Sequence, residues 1–226
     1  VVSPSISVII PAFNEERAIG KVLDEIPHRV AEVIVVDNGS TDSTAAVAQS
    51  RGAIVVHEPV RGYGQACLRG LSALSSTDIV VFLDGDYSDF PEEMPTLYEP
   101  IETGTADLVI GSRVLGQREK GALLPQARFG NWLSTCLIRW LFGVSFTDLG
   151  PFRAIDYTAL KRLEMCDRDF GWTVEMQVKA ARLRLRCMEV PVRYRKRIGT
   201  SKISGTVSGS VRAGHKILWT IFRHMG

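Results

Sequence analysis

The feature that most constrains this chain is a rhythm in its first half. Four short apolar runs, Ser7–Ile10, Val33–Val36, Ile54–Val56 and Ile79–Leu83, alternate with three stretches of helical length, Glu15–Ile26, Asp42–Ser50 and Tyr63–Ser75. Runs that stay apolar at consecutive positions suit strands covered on both faces, the condition of a parallel sheet. Strand, helix, strand, repeated three times, predicts right-handed βαβ crossovers. Ser40-Thr41-Asp42 supplies capping chemistry for the second helix, and a helix near Glu92–Ile101 leads into a fifth strand over Asp107–Gly111. After Arg113 the pattern loosens. A polar loop, Gly116–Pro125, precedes a long helix over Gln126–Phe142, a loop and strand within Ser145–Ile155, a helix over Trp172–Arg182 and a strand over Arg186–Tyr194. No repeat and no Pro/Gly/Ser linker divides the chain. The expected fold is α/β: one domain around a doubly wound, mostly parallel sheet with helices on both faces.

Composition matters here for what it excludes. With 226 residues, 45% hydrophobic and 23% charged, the chain is neither disordered nor collagen-like. No apolar run reaches the roughly 20 residues that span a bilayer, and Val1–Pro11 lacks a signal peptide's basic flank and cleavage site. Cys67, Cys136, Cys166 and Cys187 are widely spaced, which predicts idle thiols in a reducing compartment and a cytoplasmic protein. The net charge of +2 hides an asymmetry, because 11 of the 27 basic residues lie in 182–226 against the single acidic Glu189. Such a segment is either a solvated basic face or a surface for an anionic partner.

In open α/β sheets ligands sit beyond the carboxyl ends of the strands. The residues there are polar and mostly acidic: Asn14 and Glu15, Asp37, Arg61 and Gly62, then Asp84, Gly85 and Asp86. Asp84 and Asp86, spaced i, i+2 off a strand, point the same way and repel unless a cation lies near them. Hard oxygen ligands select Mg²⁺ or Mn²⁺. Asp37 can accept a hydrogen bond from a base or ribose, while Asp42 reads better as a helix cap. Pro11, Ala12 and Glu15 would offer contacts from the first loop. Arg61-Gly62-Tyr63-Gly64 lacks the third glycine of a dinucleotide loop and follows the third strand, which excludes a Rossmann dehydrogenase. Its glycines suit close helix packing beneath a nucleotide.

The segments SVIIPAFNEE, VIVVDNGSTDST, VFLDGDYSD and Gly111-Ser112-Arg113 resemble the inverting family 2 glycosyltransferases of the GT-A fold, and TDLGPFRAI and RIGTSK are similar to the branch of polyprenyl-phosphate and dolichol-phosphate sugar transferases. The resemblance covers nearly the whole chain. It implies a nucleotide-diphosphate sugar donor, UDP-glucose ahead of GDP-mannose, with Asp37 near the base and Asp84 and Asp86 on the metal. It implies that Arg113 faces donor or acceptor phosphates, and that the loop carrying Arg197, Gly199 and Lys202 closes over the donor. On this view residues 1–113 bind the nucleotide sugar, 114–202 complete the acceptor half, and 203–226 form a basic, amphipathic helix.

A hydroxyl acceptor needs a base, for which Asp148 and Glu175 are candidates; an ionised phosphate needs none. Both acids also have structural readings, Asp148 pairing with Arg153 and Glu175 with Lys179 at i+4. Arg128 sits where the branch places an acceptor-phosphate arginine, but the serine expected four residues later is Trp132. The expected partners are the donor, a lipid phosphate or other acceptor and an anionic membrane surface met by the last helix, not nucleic acid. That helix has the alternative of covering the domain's own core. Two other functions stay open: a sugar-phosphate nucleotidyltransferase, disfavoured by a first loop without its Gly-rich basic motif, and a non-catalytic nucleotide-sugar sensor.

Overall fold

The structure, a computed structural model, describes residues 3–199 and 207–224. Seven strands form one sheet: β1 (Ile6–Ala12), β2 (Glu32–Asp37), β3 (Ile54–His57), β4 (Ile79–Phe82), β5 (Leu108–Ser112), β6 (Arg153–Asp156) and β7 (Cys187–Pro191), in the order β3-β2-β1-β4-β6-β5-β7. Among the described residues eight α-helices accompany them: α1 (Ile19–Asp24), α2 (Thr44–Ser50), α3 (Tyr63–Ser72), α4 (Met94–Glu102), α5 (Pro125–Phe142), α6 (Tyr157–Leu163), α7 (Trp172–Arg182) and α8 (Val207–Arg223).

Three of the four continuous apolar runs are buried on both faces, as the rhythm predicts; the fourth, Ile54–Val56, lies on the edge strand β3, where Ile54 is 48% exposed. Ile9, Ile34, Val36, Val80, Phe82 and Ile110 face a core completed by Trp172, Met176 and Ile221, on the side of α3, α5, α7 and α8. Their neighbours Val8, Ile10, Val35, Val81, Leu83 and Val109 face the opposite core with Ile19, Ala48, Leu97 and Ile101 of α1, α2 and α4. Alternation along each strand therefore feeds two helical layers.

Three details differ from the sequence expectation. The first helix is confined to Ile19–Asp24, because Asn14 is left-handed (φ 53) and the Glu15 amide donates to Thr44 Oγ1, which holds the preceding residues in a turn. A short helix not anticipated, α6, is capped by Asp156, whose carboxylate accepts from the Ala159 amide. The last strand is shorter than Arg186–Tyr194.

The sheet is mostly parallel, with β6 the exception: it runs antiparallel to both β4 and β5, pairing Arg153 with Phe82 and Ile110. The chain thus enters β6 from the edge where β1, β2, β4 and β5 end. This inversion brings Thr147–Phe152 of the second half to the carboxyl edge of the first.

Candidate active site

Register sets the rim. Ala12 lies opposite Asp37, and Ile9 opposite Phe82, so the strand ends carrying Pro11, Asp37 and Asp84 open on one edge. A cleft of about 450 Å³ lies there. Of the residues expected to bind a ligand, Pro11, Ala12, Glu15, Arg61, Gly62, Asp84, Gly85, Asp86 and Arg197 line it. Asn14 and Asp37 stand behind its wall. Asn14 Oδ1 accepts from the Thr41 amide, and Asp37, 6% exposed, accepts from the Ser40 amide (2.9 Å) and faces His57 Nδ1 (3.0 Å). Asp42 bonds the Thr44 amide at the start of α2, the capping role expected of it.

The electrostatics of the cleft are unbalanced. Burial, together with neighbouring Asp86, pushes the Asp84 carboxyl up to about 7. The Tyr63 hydroxyl donates to Asp84 Oδ1 at 3.1 Å. Arg197 bridges the cleft, with Nη2 donating to Glu15 Oε1 at 2.9 Å and Nη1 lying 3.1 Å from Asp86 Oδ2, while its Nε has no partner among the described residues. Two hard carboxylates, incompletely neutralised, fit a divalent cation. Among the described residues no three His, Cys, Asp or Glu side chains are placed to share an ion. A cation on Asp84 and Asp86 would keep positions for phosphate oxygens and water.

Part of this wall was not legible in the sequence. Phe13 lines the cleft, and the Arg61 guanidinium stacks 3.1 Å from its ring centroid. Asn38 ties the loops together: its Nδ2 donates to the carbonyls of Glu58 and Val60, and its Oδ1 accepts from the Gly62 amide. Asp169 and Phe170 come from the second half. They arrive because Gly62 and Gly64 have no side chains: a Cβ on either would lie 2.1 Å from the carbonyl oxygen of Arg168 or Asp167. The Gln65 amide bonds the Arg168 carbonyl there at 2.9 Å. The signal was the Gly62-x-Gly64 spacing, whose close approach is to protein backbone.

Arg113, Asp148 and Glu175 do not line the cleft. Asp148 is fully buried and grips Arg113 three times, accepting from its backbone amide and Nε at 2.8 Å and its Nη2 at 2.7 Å. Burial raises the Asp148 carboxyl, but Arg113 outweighs it and holds the group below the usual range. Arg153, the partner considered from sequence, donates instead to the carbonyls of Leu149, Gly150 and Thr173. Glu175 is equally buried. It accepts from the amides of Cys166 and Asp167 and meets Lys179 Nζ at 2.8 Å, the i+4 pair. Its carboxyl also lies below the usual range, because these bonds outweigh desolvation. The base role considered for both acids meets the same obstacle: their oxygens are already engaged inside the protein.

A second cavity, about 790 Å³, lies along α5. Arg118, Arg128 and Arg139 line it with Leu123, Phe129 and Trp132. Phe129, Trp132 and Trp140 are 62%, 58% and 78% exposed, so the outer face of α5 is aromatic. On α8, Ile221 is buried in the core as the alternative foresaw, while Trp219 and Phe222 face outward and Trp219 lies under Lys216 and Arg223. Among the described residues no helix is long and apolar enough to cross a membrane. Lys202, with the Thr200 and Ser201 of its loop, lies outside the described residues.

The family model for glycosyl transferase family 2 matches residues 7–164. An uncharacterized glycosyltransferase of Mycobacterium tuberculosis is 37% identical over 211 residues, covering 92% of this chain and 94% of its own. The undecaprenyl-phosphate mannosyltransferase of Micrococcus luteus is 31% identical over 223 residues, covering 89% and 88%. Among solved structures, glucosyl-3-phosphoglycerate synthase from Mycobacterium tuberculosis, crystallised with Mn²⁺, UDP-glucose and phosphoglyceric acid, superposes with a TM-score of 0.80 at 28% identity, covering 99% of this chain and 80% of that one.

Proposed function

The chain belongs to glycosyl transferase family 2, is a glycosyltransferase of GT-A fold, and on that premise we propose that it moves a hexose from a nucleotide-diphosphate sugar, UDP-glucose before GDP-mannose, to a phosphate-bearing acceptor, with inversion. The observation that carries the proposal is the pair Asp84 and Asp86, facing Arg197 across a cleft at the ends of β1 and β4.

In this reading Asp84 and Asp86 hold Mg²⁺ or Mn²⁺, which supplies positive charge to the donor's diphosphate as it leaves. Tyr63 orients Asp84 through its hydroxyl bond. Arg197 has an unused Nε donor beside the same carboxylates and adds charge where the leaving group gains it. Phe13 and Arg61 form a stacked wall suited to a flat base, and Asp37 holds the Ser40 amide, while the Ser40 hydroxyl in turn accepts from the Asn14 amide beside Phe13. Arg113, locked by Asp148, holds the end of β5 and keeps its charge near the rim.

The acceptor lies toward α5. Its cavity pairs arginines with aromatic and aliphatic walls, the chemistry of an anionic head on an apolar chain such as polyprenyl phosphate. The engagement of Asp148 and Glu175 favours the same conclusion, because an ionised phosphate attacks without a base. Trp219 and Phe222, with Lys216 and Arg223, would then rest on an anionic membrane surface. Family membership counts against a nucleotidyltransferase, and turnover separates the enzyme from a sensor.

The test is a panel of nucleotide sugars read by thermal shift with and without Mn²⁺, followed by transfer to undecaprenyl phosphate in detergent. UDP-glucose with Mn²⁺ should stabilise most, and an Asp86→Ala variant should lose both stabilisation and transfer. Donor binding without turnover on any phosphate or hydroxyl acceptor would leave only the sensor.

A further inference from the structure

Asp169 and Phe170 reach the cleft from the loop between α6 and α7, which belongs to neither helix nor strand. Such a segment keeps its place only if its polar backbone is tied down. Two acids do this. Glu175, in the first turn of α7, takes the amides of Cys166 and Asp167. Asp167 takes the next pair, its Oδ1 accepting from the Asp169 amide at 2.8 Å and from the Gly171 amide at 3.2 Å. On the far side of the loop the Gly64 amide donates to the Asp169 carbonyl at 3.3 Å.

The turn that enters the cleft thus hangs on Asp167, a buried carboxylate, and a buried carboxylate needs a counter-charge. Helix α8 provides it: Lys216 Nζ lies 2.9 Å from Asp167 Oδ2. The contact is tight on both sides. A Cβ at Gly171 would lie 2.4 Å from Asp167 Oδ2 and 2.5 Å from Thr220 Oγ1, so turn and helix meet with no side chain between them. Thr220 is fully buried there, and its hydroxyl donates to the Lys216 carbonyl at 2.8 Å. Lys216 also stands 4.8 Å over the ring of the exposed Trp219, one face of its ammonium toward the outer aromatic and another toward the loop.

We propose that Lys216 is a positioning residue for the donor: through Asp167 it holds the turn that places Asp169 and Phe170 in the wall of the cleft. Without the ammonium, Asp167 is a buried charge with no counter-charge from α8. It can be hydrated only by turning outward, which releases the Asp169 and Gly171 amides and loosens the wall. The helix whose outer face carries Trp219 and Phe222 is thereby tied to the donor cleft. This role rests on the reading of the cleft as the donor site.

The experiment is calorimetric titration of the full chain with Mn²⁺ and UDP-glucose or GDP-mannose, whichever the parent binds, in buffer free of lipid and detergent and well below the unfolding temperature. Lys216→Met should weaken donor binding about fivefold, a size typical of coupling carried through packed contacts. Adding Asp167→Asn to that variant should recover most of the loss, because the side-chain amide keeps an oxygen for the Asp169 and Gly171 amides and carries no charge. A merely structural Lys216 would lower the unfolding temperature and leave the affinity of the folded chain unchanged, which overturns the proposal. A loss of affinity that Asp167→Asn does not relieve overturns it too. Should Lys216→Met fail to unfold cooperatively, Lys216→Gln is titrated in its place against the same outcomes. A parent chain that binds neither nucleotide sugar defeats the donor site itself, whereas a parent that binds one, with Lys216→Met binding it as tightly, defeats only the role of Lys216.

Discussion

Two groups of acids, wholly or half buried, are handled in opposite ways by the fold. At the end of β4, Asp84 accepts from a tyrosine hydroxyl, Asp86 accepts from the Ser88 amide and meets an arginine shared with Glu15, and Asp89 has no side-chain partner among the described residues. Burial pushes Asp84 up to about 7 and Asp89 well above its ordinary range. In the second half, Asp148 and Glu175 are saturated with amides and cations, and both are held below their ordinary values. Burial opposes ionisation in both groups, so partners make the difference. An acid with its bonds complete is part of the architecture; one left short of them is suited to a ligand that brings positive charge.

The contrast breaks first, and by the largest effect, at Asp86. Asp86→Ala should lower kcat/KM by three orders of magnitude or more, about 4 kcal/mol of transition-state stabilisation. Its unfolding temperature without metal should match or exceed the parent's. A loss of fold in this variant would place Asp86 with the architectural acids.

Asp148 should behave in reverse. Asp148→Asn leaves Arg113 buried without its counter-charge and should cost about 3 kcal/mol or more in urea unfolding. The pH dependence has a fixed sign. The Asp148 carboxyl lies lower in the folded chain than in the unfolded one, so its contribution is present above the ordinary carboxyl value of roughly 4. It is lost as pH falls through the lower folded value. The stability gap between parent and variant should therefore be full near neutrality and shrink on acidification below about pH 4. A gap that widened with acid would contradict the pairing.

Glu175 sharpens the comparison with a smaller effect. Glu175→Gln keeps one acceptor for the Cys166 and Asp167 amides but loses the Lys179 pair, at a cost of about 1–2 kcal/mol in stability. Transfer to a phosphate acceptor should be unchanged. A hundredfold fall in kcat with stability intact would restore Glu175 as a base.

The two groups were unequally legible in the sequence. Asp84, Asp86, Glu15 and Arg61 could be placed because a strand end needs no tertiary knowledge: the apolar run stops and the next side chains face the rim. The partner of Asp148 could not be read, because the nearer Arg153 is drawn to backbone carbonyls while Arg113 reaches Asp148 only through β6, the antiparallel strand between β4 and β5. Strand direction is a property of packing, and Arg153–Asp156 looks the same in either sense. Asp169 and Phe170 were hidden for a related reason, since their approach is set by the absence of a Cβ far back in the chain, at Gly62 and Gly64. The helix α6 was signalled by Asp156, but seven residues give too little periodicity to declare it.

The smallest expected effect bears on where the second substrate lies. Arg128 lines the α5 cavity and not the cleft at the ends of β1 and β4, so on the proposed reading it should matter to one substrate only. Arg128→Ala should raise KM for a lipid phosphate about tenfold, roughly 1.4 kcal/mol, while leaving the UDP-glucose and Mn²⁺ thermal shift where it was. The value is modest because Arg118 and Arg139 share the cavity and a partly exposed cation is screened by solvent. The split between substrates decides the matter: a variant that weakened the donor's stabilisation as much as the acceptor's KM would mean that Arg128 acts on the rim through α5, and the α5 cavity would lose its claim to the acceptor.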